Sequence, residues 1–432
     1  MYWLGAMAVG IVAVFFAKGS FFADTLFFKM LEKNNWLALI ITPSFMAFGV
    51  YLTKSFFQGS EGSGIPQTIA AMHIRKKAEC FKLLSMKIAC GKIFITMLGL
   101  CGGASIGREG PTVQIGASIM SFLGRFLHIS SYKTRKSLIL AGGAAGVAAA
   151  FNTPLAGIVF AIEELSRSFE TKTSGIVLTT VVIAGIVSMS ITGNYTYFGR
   201  SNLLIDSHEN WVYLVILCGI VCGLIGTIFN YTIIHTDKVL GKKLSAFTKA
   251  RPVIFAAICG LLIAIIGRLS GNLTFGTGYE QACKLIQGQD IETLWFGFYK
   301  FLATILSYIS GIPGGIFAPS LSIGAGIGAN IADFFPDMTK SVIIIMCMAG
   351  YFSSVVHSPI TAAVIVMEMT SDQKTTISLL AVSMISYAVS KTFCEQSLYW
   401  ALADKFLPAD EKERLKEVAA PSQEDDDENK QN

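Results

Sequence analysis

Charged residues are scarce in this sequence: of its 432 residues only 15% are Asp, Glu, Lys or Arg, while 53% are hydrophobic. The mean hydropathy is +0.57, whereas soluble globular domains carry about 25% charged residues. The formal net charge of +5 is not accompanied by a basic, aromatic-rich soluble segment of the kind that binds nucleic acid. The composition therefore predicts a polytopic helical membrane protein and no nucleic-acid partner.

Metal-binding and catalytic motifs are also scarce. The five histidines are scattered without an HExxH motif, and the nine cysteines form no CxxC pair. Hydrolytic chemistry would need an activated nucleophile with a positioned base. We therefore expect no metal site, no cofactor and no enzymatic activity.

Long uncharged runs are what the sequence has instead. Six of them exceed the roughly 18 residues that indicate a bilayer span: Asn34 to Thr53, Ser137 to Ile162, Thr173 to Gly199, Asn210 to Thr236, Phe301 to Ala332 and Ser341 to Met367. Prolines at 154, 313, 319 and 359 interrupt three of these runs. Because lipid cannot satisfy the backbone of a broken helix, such helices are expected inside the protein or beside a water-filled cavity.

Three basic clusters indicate the orientation in the membrane. They are Arg75-Lys76-Lys77, Lys133 to Lys136 and Lys242 to Arg251, and the spacing places even numbers of crossings between them. By the positive-inside rule all three face the cytoplasm. Both termini are then expected on the cytoplasmic side of the membrane.

The glycine-rich stretch from Gly102 to Gly116 places Arg108 and Glu109 among small residues. One interpretation is an ordinary surface turn, with Gly110-Pro111 starting the next helix. The other is a functional site, because ionisable residues at membrane depth usually mark one. A helix that begins near Pro111 would direct its free N–H groups and its positive end towards an anion.

The second half of the chain repeats the first weakly but in order. Gly276-Thr277-Gly278 resembles Gly62-Ser63-Gly64 at an offset of 276 − 62 = 214 residues, and Gly315 to Ala325 resembles Gly107 to Ala117 at 319 − 111 = 208. A third match pairs Pro359 with Pro154 at 359 − 154 = 205. We therefore predict repeat halves at residues 1–240 and 252–407, followed by an acidic, disordered cytoplasmic tail at 408–432. Such halves are typical of an inverted-repeat transporter, although parallel repeats also exist.

Three pentapeptides carry a resemblance to the CLC chloride channel and transporter family, and the match extends to about Phe406. The pentapeptides are Gly62-Ser63-Gly64-Ile65-Pro66, Gly107-Arg108-Glu109-Gly110-Pro111 and Gly315-Ile316-Phe317-Ala318-Pro319. The resemblance implies an all-α polytopic membrane protein with a CLC-type inverted repeat of broken and tilted helices. It also implies that the pentapeptides form the selectivity filter of a homodimer with one ion pathway in each subunit.

The resemblance also implies roles for individual residues. Ser63 and Tyr399 would offer hydroxyl groups to a central chloride, and the backbone N–H groups of Ile316 and Phe317 would complete its shell. Partial charges of this kind bind an ion weakly enough for it to leave again. Glu109 matches the gating glutamate, which competes with the anion and accepts a proton from outside.

Glu164 matches the internal glutamate that passes protons to the cytoplasm in the exchangers. Its neighbour Glu163 is a rival for that role. The repeat pairs Glu368 with Glu163 and leaves Met369 opposite Glu164. Glu164 is therefore the carboxylate that the symmetry does not explain.

The pairing of Glu109 with Glu164 implies a secondary active antiporter that exchanges chloride for protons. The alternatives are a passive voltage- or pH-gated chloride channel of the same family, or an exchanger that prefers fluoride or nitrate. Ser63 favours chloride, because branches with other selectivities tend to alter this position. Eukaryotic members usually carry a C-terminal pair of nucleotide-sensing domains, which this sequence is not expected to have, so the resemblance implies a short prokaryotic member in a bacterial inner membrane.

Overall fold

The computed structural model of the chain describes residues 2–167, 171–193, 198, 211–289, 291, 294–336 and 338–419. Its described residues form helices joined by short connections, and their one isolated β-bridge pairs Gly107 with Gly315. Seven helical segments are long and apolar enough to cross a membrane. The prediction of an all-α polytopic membrane protein is confirmed.

The helices of the first half are α1 (Tyr2–Lys33), α2 (Ala38–Ser55), α3 (Ile65–His73), α4 (Lys77–Leu83), α5 (Met86–Cys101), α6 (Glu109–Phe126), α7 (Tyr132–Phe151), α8 (Pro154–Phe160), α9 (Thr171–Thr192), α10 (Trp211–Ile234) and α11 (Thr236–Ala250). Those of the second half are α12 (Pro252–Leu269), α13 (Tyr279–Ile286), α14 (Phe296–Ile309), α15 (Phe317–Ala332), α16 (Lys340–Val356), α17 (Pro359–Thr370), α18 (Thr376–Phe393), α19 (Leu398–Ala403) and α20 (Ala409–Ala419).

The first helix is longer than the sequence pattern predicts. Its uncharged part ends at Ala17, but α1 continues through Lys18 and Asp24 to Lys33. At about 1.5 Å per residue, its 32 residues exceed the roughly 30 Å of bilayer hydrocarbon. A helix of this length has to tilt in order to stay in the membrane.

Both halves break a long apolar helix in the same way. Asn152 ends α7 with φ +60° and His357 ends α16 with φ +59°, and Pro154 and Pro359 begin the next helices, α8 and α17. Proline suits the first turn of a helix because its missing N–H needs no partner there. The break predicted at Asn152-Thr153-Pro154 is therefore present, and the second half repeats it.

Small residues bring the helix pairs α6/α7 and α15/α16 into close contact. A β-carbon on Gly116 would collide with the carbonyl group of Gly142, and one on Gly324 would lie 2.7 Å from the carbonyl oxygen of Cys347. The close packing expected for the Gly/Ala-rich segment of α7 is present. These pairs hold α6 and α15 in fixed positions at the centre of the molecule.

The polar segment from Gly241 to Arg251, predicted as a boundary between the halves, lies mostly within α11. This helix is interrupted at Gly241, whose φ of +73° and ψ of 164° are not helical. Asp237 stabilises the turn because its carboxylate accepts a hydrogen bond from the Ser245 hydroxyl at 2.5 Å.

The disorder predicted from residue 408 onwards is wrong for residues 409–419, which form α20. Glu411 is buried, and its carboxylate accepts a hydrogen bond from the backbone N–H of Arg75 at 2.7 Å. Arg414 lies 2.8 Å from Glu411 and donates to the carbonyl oxygen of His73 at 2.9 Å. These contacts at the end of α3 stabilise α20, and its highly charged sequence gives no sign of them. Residues 420–432 lie outside the described part of the chain.

Candidate functional site

The three pentapeptides converge at the centre of the molecule, where α3, α6 and α15 begin. Gly107 and Gly315 exchange two backbone hydrogen bonds, of 2.6 and 2.7 Å. The N–H of Gly314 donates to the carbonyl oxygen of Gly62 at 3.0 Å. The equivalent helices α6 and α15 therefore meet at their N-terminal ends, as an inverted repeat requires. Three positive helix ends surround one buried region.

Glycine is required in this region because the segments approach within backbone contact distance. A β-carbon on Gly110 would collide with the hydroxyl group of Ser63, and one on Gly315 would lie 2.9 Å from the backbone nitrogen of Gly110. Gly64 precedes α3 with φ +104°, a conformation that favours glycine. Larger residues would push the three helix ends apart.

Glu109 is the first residue of α6, and it is 0% exposed. Its carboxylate lies against the α-carbon of Gly107, where an added β-carbon would also be 3.4 Å from the backbone nitrogen of Ala318. The Nε atom of Arg108 is 3.8 Å from the carboxylate, and Arg108 Nη1 donates to the carbonyl oxygen of Ala17 at 2.7 Å. The interpretation of this stretch as an ordinary surface turn is therefore wrong.

Arg108 separates Glu109 from a cavity of about 340 Å³ that opens between α1 and the start of α13. Its side chain lines that cavity together with Asp24 and Glu280. Most of the surface that lines this cavity is apolar, and Lys18, Asp24, Arg108 and Glu280 supply its charged groups. The buried carboxylate of Glu109 is thus one residue away from a route to solvent.

Ser63 and Tyr399 are both buried, and neither hydroxyl group makes a hydrogen bond with the usual distance and angles. The two side chains lie close to each other, and the rings of Tyr399 and Phe317 are stacked with centroids 6.2 Å apart. A buried hydroxyl group without a partner is costly. Two such groups beside three helix N-termini are the donors that a dehydrated anion needs.

Ile316 and Phe317 stand at the start of α15, where backbone N–H groups have no partner within the helix. The Phe317 ring packs against Phe352 at 4.5 Å, Phe151 at 5.7 Å and Phe160 at 5.8 Å between centroids. This aromatic cluster excludes water from one side of the site. It also fixes the direction of the N–H groups.

Glu164 lies in a π-helical turn, Ala161–Ser166, and is 0% exposed. Its carboxylate accepts hydrogen bonds from the Ser358 hydroxyl at 2.7 Å and from the Ser397 hydroxyl at 3.1 Å. The indole N–H of Trp400 donates to the backbone carbonyl of Glu164 at 3.0 Å. Since Ser397 and Trp400 flank Tyr399, these bonds connect Glu164 to the helix that carries Tyr399.

Glu163 points to a different partner. Its carboxylate accepts backbone N–H bonds from Ile360 at 3.1 Å and from Thr361 at 2.6 Å, at the start of α17. Glu368 does the same for Leu155 and Ala156 at the start of α8, at 3.2 and 2.7 Å. Both are helix-capping carboxylates.

Two buried lysines were not anticipated from the sequence. Lys92 donates to the carbonyl oxygens of Ser60 and Gly62, both at 2.7 Å, and Lys300 donates to those of Thr274 at 2.9 Å and Gly276 at 2.7 Å. Each lysine thus fixes the loop before a short helix. The signal was present, because the two lysines are 300 − 92 = 208 residues apart, the offset of the second and third pentapeptides.

The prediction of no enzymatic activity rests in part on the absence of a GxSxG motif, and that premise is wrong because residues Gly103 to Gly107 have this spacing of serine hydrolases. Ser105 is buried, and its hydroxyl group pairs with that of Thr304 at 3.0 Å, without a histidine in its hydrogen bonds. The described part of the chain also contains no group of three or more His, Cys, Asp or Glu residues arranged to hold a metal.

Comparison with known proteins places this site in a family. The chain is 30% identical over 398 residues to the H(+)/Cl(-) exchange transporter ClcA of Yersinia pestis bv. Antiqua (strain Angola), a match that covers 89% of this chain and 80% of the relative. The transporter of the same name from Yersinia pseudotuberculosis serotype O:3 (strain YPIII) matches with the same figures.

Solved structures show the same fold. A slow cyanobacterial Cl-/H+ antiporter matches with a TM-score of 0.79 at 25% identity, over 94% of this chain and 97% of that one. A CLC-type fluoride/proton antiporter matches with a TM-score of 0.78 at 21% identity, over 93% and 96%. The sequence model of the voltage gated chloride channel family matches residues 44–391. The chain therefore belongs to the voltage gated chloride channel family, the CLC family, and has its fold.

Proposed function

We propose that this protein is a secondary active antiporter that exchanges chloride for protons across the membrane. The observation that carries the proposal is the pair of fully buried carboxylates, Glu109 and Glu164, which both lie near the buried hydroxyl group of Tyr399, close to that of Ser63. The named activities of the ClcA relatives and of the cyanobacterial antiporter agree with it.

The anion site consists of partial positive charges. Chloride binds between the hydroxyl groups of Ser63 and Tyr399 and the N–H groups of Ile316 and Phe317, and the remaining residues of the three pentapeptides hold these donors in place. No lysine or arginine head group is needed at the ion itself, so release stays fast. Lys92 and Lys300 support the loops instead of binding the ion, since their Nζ atoms are engaged by backbone carbonyl oxygens.

Glu109 competes with the anion for this site and carries the proton on the outer side. Its carboxylate lies beside the first residues of α15, where a chloride ion would find the same helix end. A proton from the outer cavity neutralises the carboxylate, which then leaves the site to chloride. Proton and chloride transport are thus coupled because the Glu109 carboxylate and chloride compete for the same site at the start of α15.

Glu164 carries the proton on the inner side. The Ser358 and Ser397 hydroxyl groups donate to its carboxylate and hold it in position. The proton reaches Glu109 past Tyr399, whose neighbours in the chain bind Glu164. Glu163 has no part in this transfer, because its oxygens cap α17.

The assembly and orientation follow from the family resemblance and the charge pattern. We propose a homodimer with one pathway in each subunit, in a bacterial inner membrane, with both termini cytoplasmic and with repeat halves at residues 1–240 and 252–407. Exposed apolar side chains on α8, α17 and α18 (Leu155, Ile360 and Met384) offer a surface to a second copy. The activity is transport, and no enzymatic turnover is proposed.

A vesicle assay tests the function. Purified protein is reconstituted into liposomes loaded with a high concentration of chloride and diluted into low chloride while external pH is recorded. Chloride efflux should drive proton uptake, and a protonophore should abolish the pH change. Chloride efflux with no proton uptake would instead identify a passive channel.

Parallel arms with fluoride and nitrate test the selectivity. We expect chloride to support faster proton uptake than fluoride, because Ser63 offers one hydroxyl group to a large anion. Faster proton uptake with fluoride would assign the protein to the other exchanger class.

A further inference from the structure

A basic cavity of about 290 Å³ lies between α4, α6 and α7, and no residue of the three pentapeptides lines it. It is bounded by the start of α4, the C-terminal part of α6 and the N-terminal part of α7. Lys77, Arg125, His128 and Arg135 line it, and none of its lining residues is acidic. The transport mechanism does not use this cavity.

The structure brings two predicted cytoplasmic basic clusters together here. The Arg135 guanidinium donates to the carbonyl oxygens of Ile74 at 3.0 Å and Arg75 at 2.7 Å, which joins the cluster on α7 to the cluster before α4. The cavity therefore opens on the face that the positive-inside rule assigns to the cytoplasm.

Aromatic rings hold two of the guanidinium groups of this cavity in position. The Arg125 guanidinium stacks over the Phe81 ring at 5.2 Å, and that of Arg135 lies over the Tyr132 ring at 5.5 Å. Planar guanidinium groups held in this way bind phosphate oxygens with two parallel N–H bonds. The N-terminus of the 20-residue helix α7 adds its positive end.

An independent observation points to a ligand. Ser121 lines the cavity and is 2% exposed, and its hydroxyl group has no hydrogen-bond partner. A buried hydroxyl group without a partner costs free energy that an incoming acceptor recovers. A phosphate oxygen is such an acceptor.

We propose that this cavity binds a phosphate group, and that the group belongs to an anionic phospholipid of the cytoplasmic leaflet. Lys77 and Arg125 supply charge, Arg135 supplies a fixed guanidinium group, and Ser121 donates a hydrogen bond. Basic pockets between membrane helices on the cytoplasmic side bind such head groups.

The choice of a lipid over a soluble phosphate rests on the adjacent face of α6. Phe122 is 53% exposed and Phe126 is 71% exposed. Phe122 and Phe126 are one helical turn apart, as are Ser121 and Arg125. Each phenylalanine directly follows one of these two residues, so the phenylalanines lie on the neighbouring face of α6. An acyl chain can thus cover the phenylalanines while its phosphate enters the cavity.

The test uses purified full-length protein in detergent, titrated with phosphatidylglycerol and followed by native mass spectrometry. We expect saturable binding of one lipid per chain. The double substitution Lys77→Gln/Arg125→Gln should weaken it by about tenfold or more, because charge-assisted bonds are lost. Phosphatidylcholine, which has no net charge, should bind more weakly than phosphatidylglycerol.

A matched control removes the same charge from the same end of the molecule. Lys133→Gln/Lys136→Gln changes two lysines of α7 that do not line the cavity, so lipid affinity should stay within about twofold, as for exposed charges. Equal weakening in both double variants would overturn the proposal, because charge density alone would then explain the binding.

A second variant guards against misfolding of the double variant. Ser121→Ala keeps every charge and removes only the unpartnered hydroxyl group, and we expect about threefold weaker lipid binding with an unchanged or raised melting temperature. Unchanged affinity would overturn the role of Ser121. Inorganic phosphate is tested in the last experiment. Saturable binding of phosphate without any binding of lipid would contradict the proposal that the phosphate group belongs to a lipid.

Discussion

Glu163 and Glu368 cap each other's helices. The carboxylate of Glu163 binds the first turn of α17, and Glu368 lies near the end of that helix. The carboxylate of Glu368 binds the first turn of α8, and Glu163 lies in the turn that follows α8. This reciprocal arrangement is what a two-fold relation between the halves produces. It accounts for both carboxylates structurally, and it leaves the adjacent Glu164 with a different set of partners.

Glu164→Gln should leave chloride transport in place and reduce proton transport to the level of empty vesicles, because an amide cannot accept and release a proton. The measurement is simultaneous recording of chloride and pH in a suspension of vesicles. Glu163→Gln is the matched control, one residue away. It should keep proton transport and lower the melting temperature, since an amide caps a helix less well than a carboxylate. If only Glu163→Gln abolished proton transport, Glu163 would be the proton carrier and the role given to Glu164 would be wrong.

Glu109→Ala should give anion flow that does not depend on protons. The carboxylate then no longer occupies the position beside α15, so chloride moves without a competitor. We expect the rate of chloride efflux to be equal at external pH values of about 5 and about 8, a range that spans physiological pH. Persistent proton uptake in this variant would contradict the role given to Glu109.

Gly107→Ala should displace the gating carboxylate without removing it. An added β-carbon collides with the Glu109 carboxylate, the flexible end of that side chain, so the carboxylate has to move from its place against Gly107. Chloride flux should rise and protons moved per chloride should fall. Gly175→Ala, whose β-carbon meets no atom within 4 Å, should change neither quantity.

Tyr399→Phe should weaken chloride binding by about tenfold, the effect of one hydrogen bond to a charged group. Isothermal titration calorimetry with chloride measures it. The melting temperature should change little, because the protein group that lies beside the lost hydroxyl is the Ser63 hydroxyl. Tyr351→Phe removes another buried, unpartnered hydroxyl group, on α16, and should leave the chloride affinity unchanged.

Glu411→Gln should loosen α20. Removing one charge-assisted contact costs on the order of 1.5 kcal/mol, so hydrogen exchange across the helix should accelerate by about tenfold. Glu413→Gln makes the same chemical change at an exposed position of the same helix and should leave exchange unaltered. Equal exchange rates in the two variants would show that the contact with Arg75 does not hold the helix.

The sequence predicted those parts of the fold that local chemistry determines. Three of the six uncharged runs, those that begin at Asn34, Thr173 and Asn210, coincide with helices long and apolar enough to cross a membrane. The other three are each divided between two helices, as their prolines predict. The convergence of Ser63 with Gly110, which have 46 residues between them, followed from the family resemblance and not from the pattern itself, because distant segments leave no local signal. Helix α20 was missed because its highly charged sequence is stabilised by tertiary contacts of Asp410, Glu411 and Arg414 with Lys76, Arg75 and His73.

The sequence was weakest where a residue's role depends on its partner. Lys92 and Lys300 look like isolated charges in apolar helices, and only their distances to backbone carbonyl oxygens show that they support loops. Glu163 and Glu164 are adjacent and chemically identical. The repeat pairs Glu163 with Glu368, and the hydrogen bonds show that both cap a helix, whereas the role of Glu164 in proton transfer stays a prediction.

The measurement that tests coupled exchange most directly is the potential at which net chloride flux through reconstituted protein is zero. With the chloride gradient fixed, the pH gradient is varied and the potential is set with potassium and valinomycin. Coupled exchange predicts that this potential shifts whenever the pH gradient changes. A potential that stays at the chloride equilibrium value for every pH gradient would contradict the account.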